Sequence, residues 1–427
     1  MSGIVKLFYE ISPGQNRLGF FDKNDSVLEV WFDAVHSPNL IGMVYQARIN
    51  RVFLSQNRAT ASLIDGEIVS LRLHRRDMDF VISGTVLPVT ITAAPRHGKP
   101  WQGVIGARLA NKEMVLLVDL PDSSGVVQLS SQIDGDQRKN LLARLKAEVE
   151  PVLPSGFGII LRRGGSNLSD FGTMATVLVE TWQAGKKTLD AGHLGTIFDA
   201  GDLLARARRL ASNVTVINDP SIGTEMSAIL DETINSACVP KLRLACGGHL
   251  WFEQTHAIWS IDLDSNLATG VDRLYDEAAI EIAKQIRLRA MSGPVLVDVP
   301  RCSSRRANRF RINLQKALGD DPRQPEYLGI TRGGLIELRV PHGQMALGTV
   351  MRDQPAQASL AGLRLVERHR GFDEVTLAVS PAMAEWLNGP GRQALGQLDR
   401  PLKLVVCLES DEHQEAYIIG KNENHDF

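Results

Sequence analysis

The sequence predicts a multidomain α+β protein. Its 427 residues exceed one ordinary core at roughly 150 residues per domain. Short β-rich runs fill about the first 130 residues, and strand-like and helical segments alternate afterwards. Lys plus Arg number 47 against 49 Asp plus Glu, a formal net charge of −2, which argues against an all-over basic coat but leaves room for a local basic groove. The four cysteines are scattered with no CxxC pair, which speaks against a disulfide scaffold or a zinc ribbon. The ten histidines contain no HExxH run. No segment approaches the ~18 apolar residues of a membrane span, and the opening MSGIVKLFYEISPGQN lacks a signal-peptide pattern. A reducing, cytoplasmic setting is the expectation.

The first strand-like run is Val27-Leu28-Glu29-Val30-Trp31-Phe32, and the next is 43–49. Runs at 61–64, 68–73, 84–92, 104–109 and 114–118 follow, separated by Gly, Asn and Asp, and together suggest a small barrel. Arg48, Arg51, Arg58, Arg72, Arg75 and Arg76 punctuate it. A solvated barrel surface and a nucleic-acid-facing OB fold both accommodate that pattern, which alone leans slightly to the first.

Residues 136–149 have helical periodicity through Leu141, Leu142, Leu145 and Val149, ended by Pro151 and Pro154. Gly158-Ile159-Ile160-Leu161-Arg162 enters a buried strand, 173–183 and 200–210 read as helices, and 214–217 reads as a buried strand stopped by Asn218-Asp219-Pro220. From about 241 to 342, strand and helix alternate most clearly. Segments 250–254 and 257–263 suggest a hairpin, and 272–289 a helix with apolar positions 279, 280, 282, 283 and 286 inward. A buried strand at 295–299, a helix at 305–318 and a strand at 334–340 complete the region. Residues 343–359 read as a polar connector, followed by a compact α/β unit with helices at 359–370 and 381–395 and strands at 374–379, 403–408 and 416–420. The end, 421–427, reads as disordered.

Asp262 and Asp264 stand two apart on a strand and so point to one face, while Asp298 ends the apolar run of a neighbouring strand. Gathered carboxylates are costly unless a cation neutralises them. Without His or Cys beside them they are hard oxygen ligands suited to Mg²⁺ or Mn²⁺. The alternative is that they cap turns at strand ends. Cations cluster downstream: Arg301, Arg305, Arg306, Arg309, Arg311 and Lys316, with Lys284, Arg287 and Arg289 closing the preceding helix. Some of these answer a helix dipole; gathered around a bound metal, they would also hold phosphates. An acidic metal centre in a basic surround describes phosphodiester cleavage.

Several ordered motifs resemble the RNase E/G endoribonucleases. Glu253-Gln254-Thr255-His256-Ala257-Ile258-Trp259-Ser260-Ile261-Asp262-Leu263-Asp264-Ser265-Asn266 is similar to the family's "D-x-T-E-A-L-x-x-I-D-V-N-S-G" signature. Residues 277–289 resemble "E-A-A-x-E-I-A-R-Q-L-R-L-R", 293–298 the "G-G-x-I-V-I-D-F" strand, and Ile330-Thr331-Arg332-Gly333-Gly334-Leu335-Ile336-Glu337 the "x-S-R-F-G-L-L-E" segment. The resemblance implies a layout. An RNase H-like subdomain would comprise 1–38 and 172–240, with an S1-type OB barrel inserted at 39–118 and a 5′-sensor region at 119–171. A DNase I-like catalytic subdomain at 241–345, a linker at 346–358 and a small α/β domain at 359–427 would follow.

It further implies a Mg²⁺-dependent endoribonuclease acting on single-stranded RNA. Asp262 and Asp298 would be the metal ligands, and Asp264, where the family has Asn, an auxiliary catalytic carboxylate. RNA would be bound by Arg48, Arg51 and Lys99 of the barrel, by Arg162 and Arg163 of the sensor, and by Arg305, Arg306, Arg309 and Arg332.

The departures carry expectations too. The family's CPxC zinc link falls on His342-Gly343-Gln344-Met345-Ala346-Leu347-Gly348-Thr349-Val350, which has no cysteine. No zinc and no zinc-linked tetramer are therefore expected, while a homodimer through the small domain stays compatible. Ser131 and Gln132 replace paired arginines of the sensor, and Arg163 its Thr. Ser62 and Ile68 or Val69 fall where barrel aromatics stack on bases. Between Pro240 and Gly248 there is no room for a helix that precedes the family's catalytic hairpin. The alternative reading is an RNA-binding protein of this fold with weak or no catalysis.

Overall fold

The computed structural model describes residues 4–96, 98–118, 126–133, 135, 138–190, 192–211, 214–217, 220–266, 268–369, 375–407 and 416–419, the side chains of Arg76 and 220–222 excepted. Asn218, Asp219 and the end at 421–427 lie outside them. The chain forms two compact units, one drawn from 40–213 and 240–345, the other from 3–39, 214–239 and 346–427.

In the first unit, strands Val44–Phe53, Arg58–Ser62, Ile68–Arg72, Trp101–Ile105 and Val86–Ala93 pair in that order, and the last closes onto the first. This closed five-stranded barrel is OB-like. Alternation drives it: Ala47, Ile49, Ala59, Ala61, Val69, Leu71, Val89 and Ile91 face a common core while intervening residues face out. Gly103 is required there, since a Cβ would sit 2.9 Å from both the Thr90 carbonyl and Val69 Cγ1. The run expected at 104–109 is broken. Gly106, at φ +90°, ends barrel strand Trp101–Ile105 and starts Ala107–Ala110 in a second sheet. That sheet has the order Val127–Leu129, Gly158–Leu161, Met114–Val118, Ala107–Ala110. It shares a core with helices Arg138–Val149 and Phe171–Gly185, in which Trp182 stacks on Phe198 at 5.1 Å between centroids.

The third sheet of this unit carries the motif-rich region. Its strands run Lys241–Arg243, His249–Gln254, Trp259–Asp264, Gly293–Asp298, Ile336–Val340 and Glu326–Ile330 across the sheet. Trp259–Asp264 and Gly293–Asp298 are parallel, joined by the crossover helix Val271–Leu288; the other pairs are antiparallel. The crossover helix buries Leu274, Ala278, Ala279, Ile282, Ala283 and Ile286, but Ile280 is 49% exposed, contrary to the inward position expected of it. The segment 240–248 holds an edge strand and a turn and no helix.

In the second unit, Lys6–Glu10, Gln15–Phe21 and Val27–Ala34 form an antiparallel meander to which Thr215–Ile217 adds in parallel beside Lys6–Glu10. Thr215 is exposed and Val216 and Ile217 are half-buried, because the strand sits at the sheet edge; it is not the buried strand expected. Helix Pro220–Cys238, absent from the sequence reading, buries Met226, Leu230, Ile234 and Ala237 at helical spacing. Arg17, fully buried, pairs with Glu10 at 2.6 Å and with Asp231 and donates to Ser227 at 2.9 Å. Helix Gln354–Arg368 starts five residues before the position expected, because the Asp353 side chain caps it by accepting from the Ala356 N–H at 3.2 Å. It shares a core with strand Val375–Val379 and helix Pro381–Asn388; Leu402–Val406 and Tyr417–Ile419 flank that strand.

Candidate active site

Hairpin geometry puts the first carboxylates in place. Thr255 fixes the turn: its Oγ1 accepts from the Ala257 and Ile258 N–H groups and donates to the Ile258 carbonyl. Along Trp259–Asp264, Trp259, Ile261 and Leu263 are buried, so Ser260, Asp262 and Asp264 occupy the open face. The crossover then brings in Gly293–Asp298 with Asp262 and Asp298 as register partners, side by side at adjacent carboxyl ends. The sheet order sets their surroundings. The turn carrying Arg332 lies at this end, because Ile336 pairs with Val297; His249 lies there too, opposite Asp264; and Ser304–Leu318 begins just beyond Asp298.

Burial, then the charges of Asp298, Asp264 and Glu253, push the Asp262 carboxyl above its ordinary range. Its facing charges are all acidic. Neither Asp262 nor Asp298 makes a hydrogen bond or ion pair with a described residue. Asp264 differs: its Oδ1 accepts from the Asn266 N–H at 2.9 Å, so the turn-capping alternative holds for this residue. Among the described residues no three His, Cys, Asp or Glu side chains close on one metal-holding position. Asp262 and Asp298 stand as an open pair, and one oxygen of Asp264 beside them is engaged by the backbone. A like-charged pair with free oxygens fits a hard divalent ion that retains water ligands.

The basic surround divides. Arg305 and Arg332 are exposed at this end. Arg306 pairs with Asp272 at 2.6 Å and Arg309 with Asp276, so both tie helix Ser304–Leu318 to the crossover helix, with Arg306 half-buried and Arg309 exposed. Arg287 and Arg289 are buried: Arg289 donates to Gln285 at 2.7 Å and lies 4.2 Å over the Phe252 ring. These two are core cations and do not face a polyanion, because the strand side of their helix is the packed side.

Arg162 donates through Nη1 to the Asn111 carbonyl at 2.7 Å and through Nη2 to that of Pro322 at 3.0 Å. Burial lowers its pKa, against the opposing pull of Glu113 and Asp321. Arg163 beside it is half-buried in the Arg163–Gly165 turn. Gln132 donates to Glu326, which also pairs with Arg339. In the barrel, Arg48 is exposed and reaches the Gly84 carbonyl at 3.2 Å, and Arg51 lies 4.9 Å from the centroid of the Phe53 ring. Lys99 lies just before strand Trp101–Ile105, whose Trp101 pairs with Val69.

Sequence reasoning missed Trp251 and Lys241. Trp251 is the register partner of Asp262 on its other side, and Lys241 that of Trp251. The signal was there: the alternation that turns Asp262 outward turns His249, Trp251 and Glu253 outward on the paired strand.

Asp262 and Asp298 thus stand at the carboxyl ends of the two central strands of a mixed sheet, in the same unit as a closed OB-like barrel. Residues 205–339, which include every carboxylate of this site, match the model of the Ribonuclease E/G family. Ribonuclease E of Escherichia coli K12 is 25% identical over 388 aligned positions, covering 77% of this chain and 36% of that protein. Ribonuclease G of Haemophilus influenzae is 24% identical with 82% of each chain covered. Ribonuclease G of Salmonella typhimurium is 22% identical, with 92% of this chain and 94% of that protein covered. The chain is thus similar to the ribonuclease E/G family, through the family model in its middle third and through these relatives over most of its length. It spans about a third to a half of the ribonuclease E proteins it matches.

Proposed function

We propose that the chain is a Mg²⁺-dependent endoribonuclease that cleaves single-stranded RNA in RNA processing or decay. The observation that carries this is the Asp262–Asp298 register pair, uncompensated by any described cation, inside the segment matching the family. Asp262 and Asp298 would hold the ion, with Mn²⁺ as an alternative. Bound there, Mg²⁺ supplies polarisation of the phosphate and a lowered pKa for water. Asp264 fixes the turn that follows its strand and keeps a third negative charge beside the pair. Arg305 and Arg332 bind backbone phosphates at this end, and the exposed edges of Arg306 and Arg309 extend that field along the helix. Arg48, Arg51 and Lys99 would meet RNA on the barrel.

The finer architecture follows the same reading. The meander with its added parallel strand is read as RNase H-like, the closed barrel as S1-type, the sheet of Met114–Val118 and Gly158–Leu161 as sensor-like, and the carboxylate sheet as DNase I-like. A homodimer through the small domain, with no zinc link, is part of the proposal, as is a cytoplasmic setting. No helix among the described residues is long and apolar enough to cross a membrane.

The test is cleavage of an unstructured RNA with Mg²⁺ by wild type and Asp298→Asn. Loss of cleavage in the variant is expected, and equal cleavage refutes the assignment. The second reading, RNA binding without effective catalysis, is favoured by segment 240–248, which holds no helix ahead of the carboxylate hairpin. Tight binding with no cleavage in Mg²⁺ or Mn²⁺ would select it.

A further inference from the structure

The open face of the carboxylate sheet carries one row of four side chains: Lys241, Trp251, Asp262 and Asp298, each the register partner of the next on successive strands. Register partners share a face, so Trp251 stands on the carboxylate side of the sheet while its neighbours Leu250 and Phe252 are buried on the other. The ring is half-exposed, one strand spacing, about 4.8 Å, from the Asp262 strand. The Lys241 ammonium lies over one face of the ring, 4.8 Å from its centroid.

Burying an indole on the apolar face would remove more of it from water. Here it is displayed in a polar row, between a cation and a carboxylate pair. An aromatic plane beside a phosphate-binding cation is the arrangement that holds unpaired nucleotides: the base stacks and the ammonium meets the backbone.

We propose that Trp251 is a base-stacking platform that seats one unpaired nucleotide of single-stranded RNA next to the phosphodiester at Asp262 and Asp298, with Lys241 pairing to that nucleotide's phosphate. This rests on the endoribonuclease reading for its substrate class and assigns Trp251 a positioning role. Stacking tolerates every base, so the platform selects for single-strandedness more than for sequence. A paired base in a duplex offers no free face to the indole.

The experiment measures binding of a fluorescent single-stranded RNA to the full chain in EDTA, so that cleavage plays no part. Trp251→Ala should weaken binding about 5- to 150-fold, with Trp251→Phe retaining most of the affinity. Lys241→Ala should lower the slope of log affinity against log salt by about one contact. A series of RNAs with one abasic position each should show one position that weakens wild-type binding and has no further effect in Trp251→Ala. Equal binding by wild type and Trp251→Ala overturns the proposal, as does an abasic effect identical in both proteins. If Trp251→Ala fails to fold, RNA-dependent fluorescence quenching decides. A signal present in wild type and missing in Trp251→Phe is expected, and equal quenching overturns the platform. Failure of cleavage alongside intact Trp251-dependent binding would count against the endonuclease reading and leave the platform standing.

Discussion

Replacing Asp298 with Asn should make the protein more stable without divalent ions and remove its response to them. Asp262 and Asp298 are partners on adjacent strands, hence about 4.8 Å apart at strand spacing. Two unit charges at that separation repel by about 0.9 kcal/mol in a water-like dielectric and about 3.5 kcal/mol at an effective dielectric of 20. Both side chains are exposed, so the value near 1 kcal/mol governs. In a unit of this size that corresponds to a rise in melting temperature of about 2–4 °C. The assay is thermal unfolding of wild type and Asp298→Asn in EDTA and across a Mg²⁺ titration. The wild type should melt below the variant in EDTA and climb with Mg²⁺, by about 2.7 kcal/mol at a hundredfold excess over its dissociation constant. The variant should be nearly flat. A variant that melts lower in EDTA and keeps the full Mg²⁺ response refutes the reasoning, because the pair would then be neither repulsive nor the ion's seat.

Acid stability offers a second check. Burial alone would raise the Glu10 carboxyl, but Arg17, Arg368, the Ser227 hydroxyl and Arg364 together hold it below its ordinary range. A carboxylate lower in the folded state contributes stability above the unfolded value of about 4.3 and loses it as pH falls through the folded one. Glu10→Gln should therefore destabilise at neutral pH and flatten the acid limb of the stability profile, and an unchanged acid limb would refute the linkage. Arg162→Ala should cost about 1–3 kcal/mol in urea unfolding by stranding the Asn111 and Pro322 carbonyls, and an unmoved midpoint would deny Arg162 its structural role. Ile282→Ala should cost about 2–5 kcal/mol while Ile280→Lys stays within about 0.5, and equal losses would contradict the facing of the crossover helix.

What could be read from the sequence depended on how local its signal was. The alternation in Trp259–Asp264 announces both its core face and its outward carboxylates, and the match of Asp262 to Asp298 needs only that the two strands be neighbours. Trp251 was hidden because its importance lies in the pairing register, which no single strand reveals. Arg287 and Arg289 carry the same charge as Arg305 and Arg332, yet their helix turns them inward, where Gln285 and the Phe252 ring receive Arg289. Helix Pro220–Cys238 was legible through Met226, Leu230, Ile234 and Ala237, but its Gly, Ser and Thr content blunts helix propensity.

Strand Lys6–Glu10 receives its parallel neighbour from residues more than two hundred positions later: Lys6 meets Thr215. During synthesis at about 5–20 residues per second, that edge stays open for about 10–40 s while the barrel and the sheet that follows it are made. An unpaired strand edge invites pairing with any other extended chain nearby. The N-terminal meander must therefore spend its youth as an unfinished sheet, and the ribosome's pace, as much as the sequence, sets how long it stays exposed to a wrong neighbour.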